Sequence, residues 1–100
     1  MEWIVLVKKE NASKAEEAIR KDFDVAARQS ITIRDCATLG ITEAKGAIFY
    51  ISGTDEGVAK CKELIKGFVE KADQKVLDHA KKKIRDEEDA AASGMGSIFG

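Results

Sequence analysis

The stretch Lys45-Gly-Ala-Ile-Phe-Tyr-Ile-Ser-Gly-Thr54 decides the fold that we predict for this chain. Its apolar residues 47–51 lie between two glycines, and a short β-rich run bounded by turn residues indicates a strand buried on both faces. The stretch Trp3-Ile-Val-Leu-Val7 has the same character. We therefore expect the two strands to lie side by side in the middle of one sheet, with helices packed on it.

Two further elements lie between these strands. Ser13 and Glu16 have the spacing of a capping box, in which a hydroxyl and a carboxylate each bind a free backbone N–H, so a helix is predicted over 13–22. The segment 29–36 alternates between apolar and polar residues. It is expected to be a half-exposed strand at the edge of the sheet.

A second helix is predicted to open at Thr54. Behind it, apolar residues recur at a mean spacing of about 3.7, which is one helical face: Val58, Cys61, Ile65, Phe68, Ala72, Val76, Ala80 and Ile84. A break at Gly67 would let residues 68–71 form a short fourth strand. The unbroken period favours a continuing or kinked helix instead.

The predicted order is strand, helix, strand, strand, helix, with the fourth strand left open. This α+β order is similar to the ferredoxin-like, or split βαβ, plait, whose first and third strands are central and adjacent. The plait is expected to cover residues 1–70, followed by a C-terminal helical extension over 71–92. Three glycines make 93–100 a flexible tail. The plait hosts many unrelated functions, so it assigns none by itself.

Composition excludes several classes of protein. A chain of 100 residues suits one domain, and a net charge of −1 gives no overall attraction to nucleic acid or anionic lipid. No apolar run approaches the roughly 20 residues of a membrane span. Two distant cysteines and one histidine form neither a disulfide framework nor a zinc site. We expect a cytoplasmic protein without metal or cofactor.

Two possible binding motifs, a phosphate-binding loop and an RNA-stacking surface, are incomplete. The loop 52–57 joins a strand to a helix and has two glycines, but it lacks the Walker lysine and the GxGxxG spacing. Asp55 and Glu56 would also repel a phosphate there. In an RNA-recognition plait, stacking aromatics would stand where this chain has Ala47 and Ser52.

Reactive side chains are few. His79 stands beside the basic run 81–85, has no base or ligand partner at helical spacing, and is expected to be exposed. The acidic run 86–89 neutralises those cations through helical pairs. Arg34 could activate the Cys36 thiol, but cysteine is among the most buried residue types, so packing is the favoured role.

The central strands lack the alternation expected when water covers one sheet face. A second subunit's sheet, the C-terminal helix or the tail must therefore cover that face. We expect a homo-oligomer, and the tail could dock on a neighbouring subunit or on another protein. The candidate interface consists of apolar side chains without predicted cover: Trp3, Val5, Val7, Phe49, Ile51, Phe68, Val76, Ile84, Met95, Ile98 and Phe99.

The leading functional hypothesis is a small oligomeric interaction or ligand-sensing module without catalysis of its own. The alternative is an enzyme whose pocket forms between subunits over the apolar sheet face, as in dimeric α+β barrels. Tyr50 and Arg34 are the polar side chains available to such a pocket. An RNA-binding plait is the third hypothesis, and the absence of stacking aromatics at positions 47 and 52 argues against it. No catalytic, cofactor-binding or metal-ligating residue is predicted.

Overall fold

The computed structural model describes residues 1–42 and 44–99, with side chains over 1–42 and 44–88. One antiparallel sheet has the strand order β2-β3-β1-β4 and consists of β1 (Glu2–Val7), β2 (Ser30–Asp35), β3 (Ala47–Ser52) and β4 (Val69–Glu70). The α-helices are α1 (Lys9–Arg20), α2 (Asp55–Ile65) and α3 (Gln74–Phe99). The fold is therefore α+β, as predicted.

The two apolar runs form the central strands of the sheet. β1 and β3 pair along their whole length, from Glu2 opposite Ser52 to Val7 opposite Ala47. Within the described residues, β2 has β3 as its single neighbour, and its side chains are mostly half-buried. The predictions of two adjacent central strands and a half-exposed edge strand are confirmed.

The start of α1 differs from the prediction. The helix begins at Lys9, after Lys8, which makes no side-chain cap, so Ser13 lies inside the helix and the predicted capping box is wrong. Ala12, in the added turn, packs on the core beneath α1. Tertiary packing supplies most helical stability and here outweighs the local capping signal. At α2 the signal holds, because Thr54 Oγ1 accepts a hydrogen bond from the Gly57 N–H at 3.0 Å.

The helix after Thr54 does break near Gly67. A 3-10 turn over Lys66–Phe68 follows α2, and β4 then pairs with the end of β1. The favoured prediction of a continuing helix is wrong, and the alternative of a fourth strand is right. The apolar period was shared by two helices, since Ile65 packs on one face of the sheet and Val76 on the other.

Helices cover both faces of the sheet. One hydrophobic cluster lies between the sheet and the pair α1 and α2, and its largest strand residue is Phe49. The other lies between the sheet and α3, where Leu6, Ile48 and Tyr50 meet Val76, Ala80 and Ile84. Of the three candidates for covering the second sheet face, it is therefore the C-terminal helix that covers it.

This arrangement corrects the predicted interface face. Val5, Val7, Phe49 and Ile51 lie beneath α1 and α2 and are buried within the single chain, and Trp3 packs against the same cluster. When both faces of a strand are apolar, periodicity does not reveal which face the helix pair covers. α3 also continues to Phe99, past the predicted end of the extension at residue 92.

Candidate functional site

The remaining candidate interface residues do not form a surface together. Val76 and Ile84 lie on the underside of α3 against the sheet, and Phe68 packs against the cluster beneath α1 and α2. The side chains of Met95, Ile98 and Phe99 lie outside the described residues. The apolar sheet face that motivated a shared interface is therefore occupied by the chain's own helix.

A polar cluster fastens α3 to the start of β1. The Tyr50 hydroxyl donates to Glu2 Oε1 at 2.5 Å, and Arg85 donates to the same oxygen at 2.8 Å. Lys81 Nζ lies 2.9 Å from Glu2 Oε2. The hydrogen bond from Tyr50, with those from Lys81 and Arg85, lowers the pKa of Glu2 from 4.5 to about 2. Every polar group here is engaged by another, which indicates a structural clamp.

Among the described residues, a cavity lies at the opposite end of the strands. It is a cleft of about 750 Å³ where β1 ends, β2 ends and β3 begins, beside the first turn of α1. Its apolar wall includes Ile41, Ala44 and Cys36. Charged residues of both signs surround that wall: Lys8, Lys9, Glu10, Asp35, Lys45 and Glu70.

Gly46 shapes the back of this cleft. A Cβ atom at this position would lie 2.5 Å from the Val7 carbonyl oxygen, and the backbone φ is +133°, so glycine is required on both counts. The Gly46 carbonyl accepts the Cys36 N–H at 2.9 Å, which ties the two ends of the loop between β2 and β3. The cleft therefore rests on closely packed backbone.

The charges around the cleft are engaged to different degrees. Lys8 Nζ lies 3.2 Å from Glu70 Oε1, and one Asp35 oxygen accepts the Ala37 N–H at 2.9 Å. Within the parts of the chain that the structure describes, Lys9, Glu10 and Lys45 form no ion pair. The first turn of α1 also has no side-chain cap, so its backbone N–H groups add positive potential at the rim.

Cys36 contributes a neutral thiol to the cleft. Its side chain is 2% exposed, and burial, followed by the charge of Asp35, raises the pKa of the thiol. Arg34 does not activate it, because the guanidinium binds the Ile33 carbonyl and Glu87 instead. The favoured prediction that Cys36 packs in the core is confirmed. Cys61 is buried as well.

The structure gives no support to a site at His79, to a metal site or to an RNA-binding surface. His79 is exposed on α3 and does not line the cleft. Within the described residues, no group of three or more His, Cys, Asp or Glu is placed to hold a metal ion. The described helices also include none with the length and apolarity needed to cross a membrane. An RNA-binding plait needs an open sheet face for stacking, and here helices cover both.

The sequence did not reveal the cleft, because its lining comes from four separate segments of the chain. One signal was available. Lys8 and Lys9 stand at the N-terminal end of α1, where positive charge is unfavourable because it opposes the helix dipole. Comparison of the chain with protein-family models, curated proteins and solved structures finds no match.

Proposed function

We propose that this chain is a small cytoplasmic ligand-binding module that senses a small zwitterion with an apolar body, of the amino-acid or short-peptide class. The observation that carries the proposal is the cleft of about 750 Å³. Small-molecule sites are typically concave spaces of about 300–1,000 Å³ with mostly apolar walls and a few polar groups that orient the ligand. Balanced charges around an apolar wall match a ligand that carries both signs.

Each part of such a ligand has a counterpart in the cleft. Lys9 and Lys45, with the N-terminal N–H groups of α1, suit a carboxylate. Glu10 and Asp35 suit an ammonium group. Ile41 offers apolar contact between the two. Burying the apolar body supplies affinity, while the charges fix its orientation.

Binding without catalysis fits the chemistry of the lining. The Cys36 thiol is protonated at neutral pH because its pKa is raised, so it is a poor nucleophile. The cleft has no histidine to serve as a base. The alternative of an enzyme with a pocket over the apolar sheet face loses its premise, because α3 occupies that face.

The strand order supports the finer assignment to the ferredoxin-like plait. β1 and β3 are central, β2 and β4 are at the edges, and all neighbours are antiparallel. α3 is an addition that closes the second face. Two buried free thiols fit the reducing cytoplasm. A homo-oligomer remains part of the proposal, now through the open edge of β2. Partner docking through Met95, Ile98 and Phe99 stays a prediction.

Thermal unfolding with a panel of apolar amino acids and dipeptides tests the proposal. At about 100 times Kd a ligand stabilises the folded state by about 2.7 kcal/mol. For a domain of this size that raises the Tm by about 10–20 °C. The N-acetylated and amidated forms of the best dipeptide should each stabilise far less, because each lacks one charge.

Two lysine variants locate the binding. Lys45→Ala should reduce the shift, whereas Lys14→Ala, an exposed lysine on α1 outside the cleft lining, should leave it unchanged. If no member of the panel raises the Tm, or if both variants reduce the shift equally, the cleft is not the binding site. An undiminished shift with the N-acetylated form would exclude a zwitterion as the ligand class.

A further inference from the structure

We propose that the open edge of β2 pairs with the β2 edge of a second copy of this chain, in one defined register about a two-fold axis. This surface deepens the proposed assembly, and it holds whether or not the cleft binds a ligand. β2 is six residues long and, among the strands that the structure describes, pairs with β3 alone. An exposed edge strand presents unpaired N–H and C=O groups that a further strand can bind.

The hydrogen-bond pattern identifies which groups of β2 are free. The Cys36 N–H donates to the Gly46 carbonyl in the β2–β3 ladder, and hydrogen-bonded pairs recur at every second residue of an antiparallel strand. The backbone N–H and C=O groups of Thr32 and Arg34 therefore also point towards β3. On the other side of β3, the Gly53 N–H donates to the Met1 carbonyl, so the odd-numbered residues of β3 bind β1 and the even-numbered ones bind β2, which agrees with this assignment. The backbone groups of Ile31 and Ile33 therefore point outwards, whereas the Asp35 carbonyl already accepts the Leu39 N–H at 3.2 Å.

The Ile33 carbonyl confirms this orientation. It accepts a hydrogen bond from Arg34 Nη1 at 2.9 Å, which a carbonyl engaged with β3 would not need. In a dimer, a backbone N–H of the second copy would replace Arg34 Nη1 as the donor to the Ile33 carbonyl. The guanidinium keeps its other partner, since Arg34 Nε lies 3.1 Å from Glu87.

Only one two-fold register matches side chains as well as backbone. With Thr32 on the axis, Ile31 of each copy lies opposite Ile33 of the other, and their outward groups form hydrogen-bonded pairs. The two threonines meet in a non-hydrogen-bonded pair, where side chains are close and hydroxyls can bind each other. A register centred on Ile33 would place Ile31 opposite Asp35, and one centred on Ile31 would leave Ile33 opposite Gln29.

Charge and space favour a second copy as the occupant. Ser30 meets Arg34 in this register, so no like charges stand opposite each other. A groove of about 480 Å³ lies along Ile31–Arg34, between β2 and the α1 residues Glu16 and Arg20. Those two are already paired at 2.6 Å, so a neighbouring strand does not have to neutralise either one. The self-complementary sequence of the edge is the reason to choose this chain over a foreign strand.

Cysteine cross-linking of the full chain tests the register. Thr32→Cys should give a disulfide-linked dimer under mild oxidation, because the two Cβ atoms are about 4.5–5.5 Å apart across the axis. Ser30→Cys is the matched control. Its two copies would be separated by four residues along the strands, about 13 Å, which is too far for a disulfide. The two native cysteines are buried, so the unmodified chain should not link.

A charge exchange at the same position gives a second, independent readout. Thr32→Asp and Thr32→Lys place like charges on the axis, so each should weaken the dimer at least tenfold in light scattering, and their equimolar mixture should restore it. A monomeric wild type at about 100 µM that also fails to link through Thr32→Cys overturns the proposal. Equal linking by both cysteine variants, or a dimer unaffected by either charge, overturns it as well, and would point to another surface.

Discussion

Replacing Ile84 with alanine should destabilise the folded chain by about 3–4 kcal/mol. The side chain is 1% exposed and packs against Ile48 and Tyr50 on the sheet. The substitution removes three carbon atoms, worth about 0.8 kcal/mol each on transfer from water, or about 2.4 kcal/mol together. The cavity left between two rigid elements adds to this, and such changes typically cost about 2–5 kcal/mol in total.

Urea unfolding at pH 7 measures the effect, with Lys83→Ala as control. Lys83 is exposed on the same helix, so its removal should change the free energy of unfolding by less than about 0.5 kcal/mol. Val76→Asp, in the same cluster as Ile84, should unfold the chain at every protein concentration. A cost below about 0.5 kcal/mol for Ile84→Ala, or a Val76→Asp variant that keeps its fold and loses only dimerisation, would refute the packing of α3 on its own sheet.

Three further predictions follow from single contacts. Gly46→Ala should cost at least about 1–3 kcal/mol in urea unfolding, because the new Cβ would lie 2.5 Å from the Val7 carbonyl at a φ of +133°. The pKa of Glu2 is lowered from 4.5 to about 2, so the stabilisation that its ionised carboxylate gives the fold should be complete above pH 4.5 and disappear as pH falls towards 2. Glu2→Gln should therefore be less stable than wild type at neutral pH and equally stable in acid. Cys61→Ser should lower the free energy of unfolding by about 1–3 kcal/mol, and by more than Cys36→Ser does, because Cys61 lies in the core beneath α2 while Cys36 borders the cleft. Equal losses of stability for the two variants in thermal unfolding would contradict this.

The sequence predicted the elements whose pattern is local. The runs 3–7 and 47–51 could be assigned to central strands because only a buried strand is apolar on both faces, and Thr54 could be assigned as a helix cap because its partner is three residues away. The edge position of β2 followed from its alternation.

The failures concern features decided by distant contacts. The break after Ile65 depends on β4 pairing with β1, a contact across more than sixty residues that leaves the helical period intact. The face covered by α1 and α2 could not be read from strands that are apolar on both sides. Lys9 and Lys45 are far apart in sequence and line the same cleft because β1 and β3 pair, so the cleft could not be predicted either.

A ¹H–¹⁵N NMR titration of the full chain with an apolar dipeptide tests the proposed cleft most directly. We predict that the amide shifts change at residues 8–10, 35–37 and 45–46, which line the cleft, and that the exposed surface of α3 is unaffected. Shift changes centred on α3 or on the β2 edge, or no changes up to about 10 mM dipeptide, would contradict a zwitterion-binding cleft at this end of the sheet.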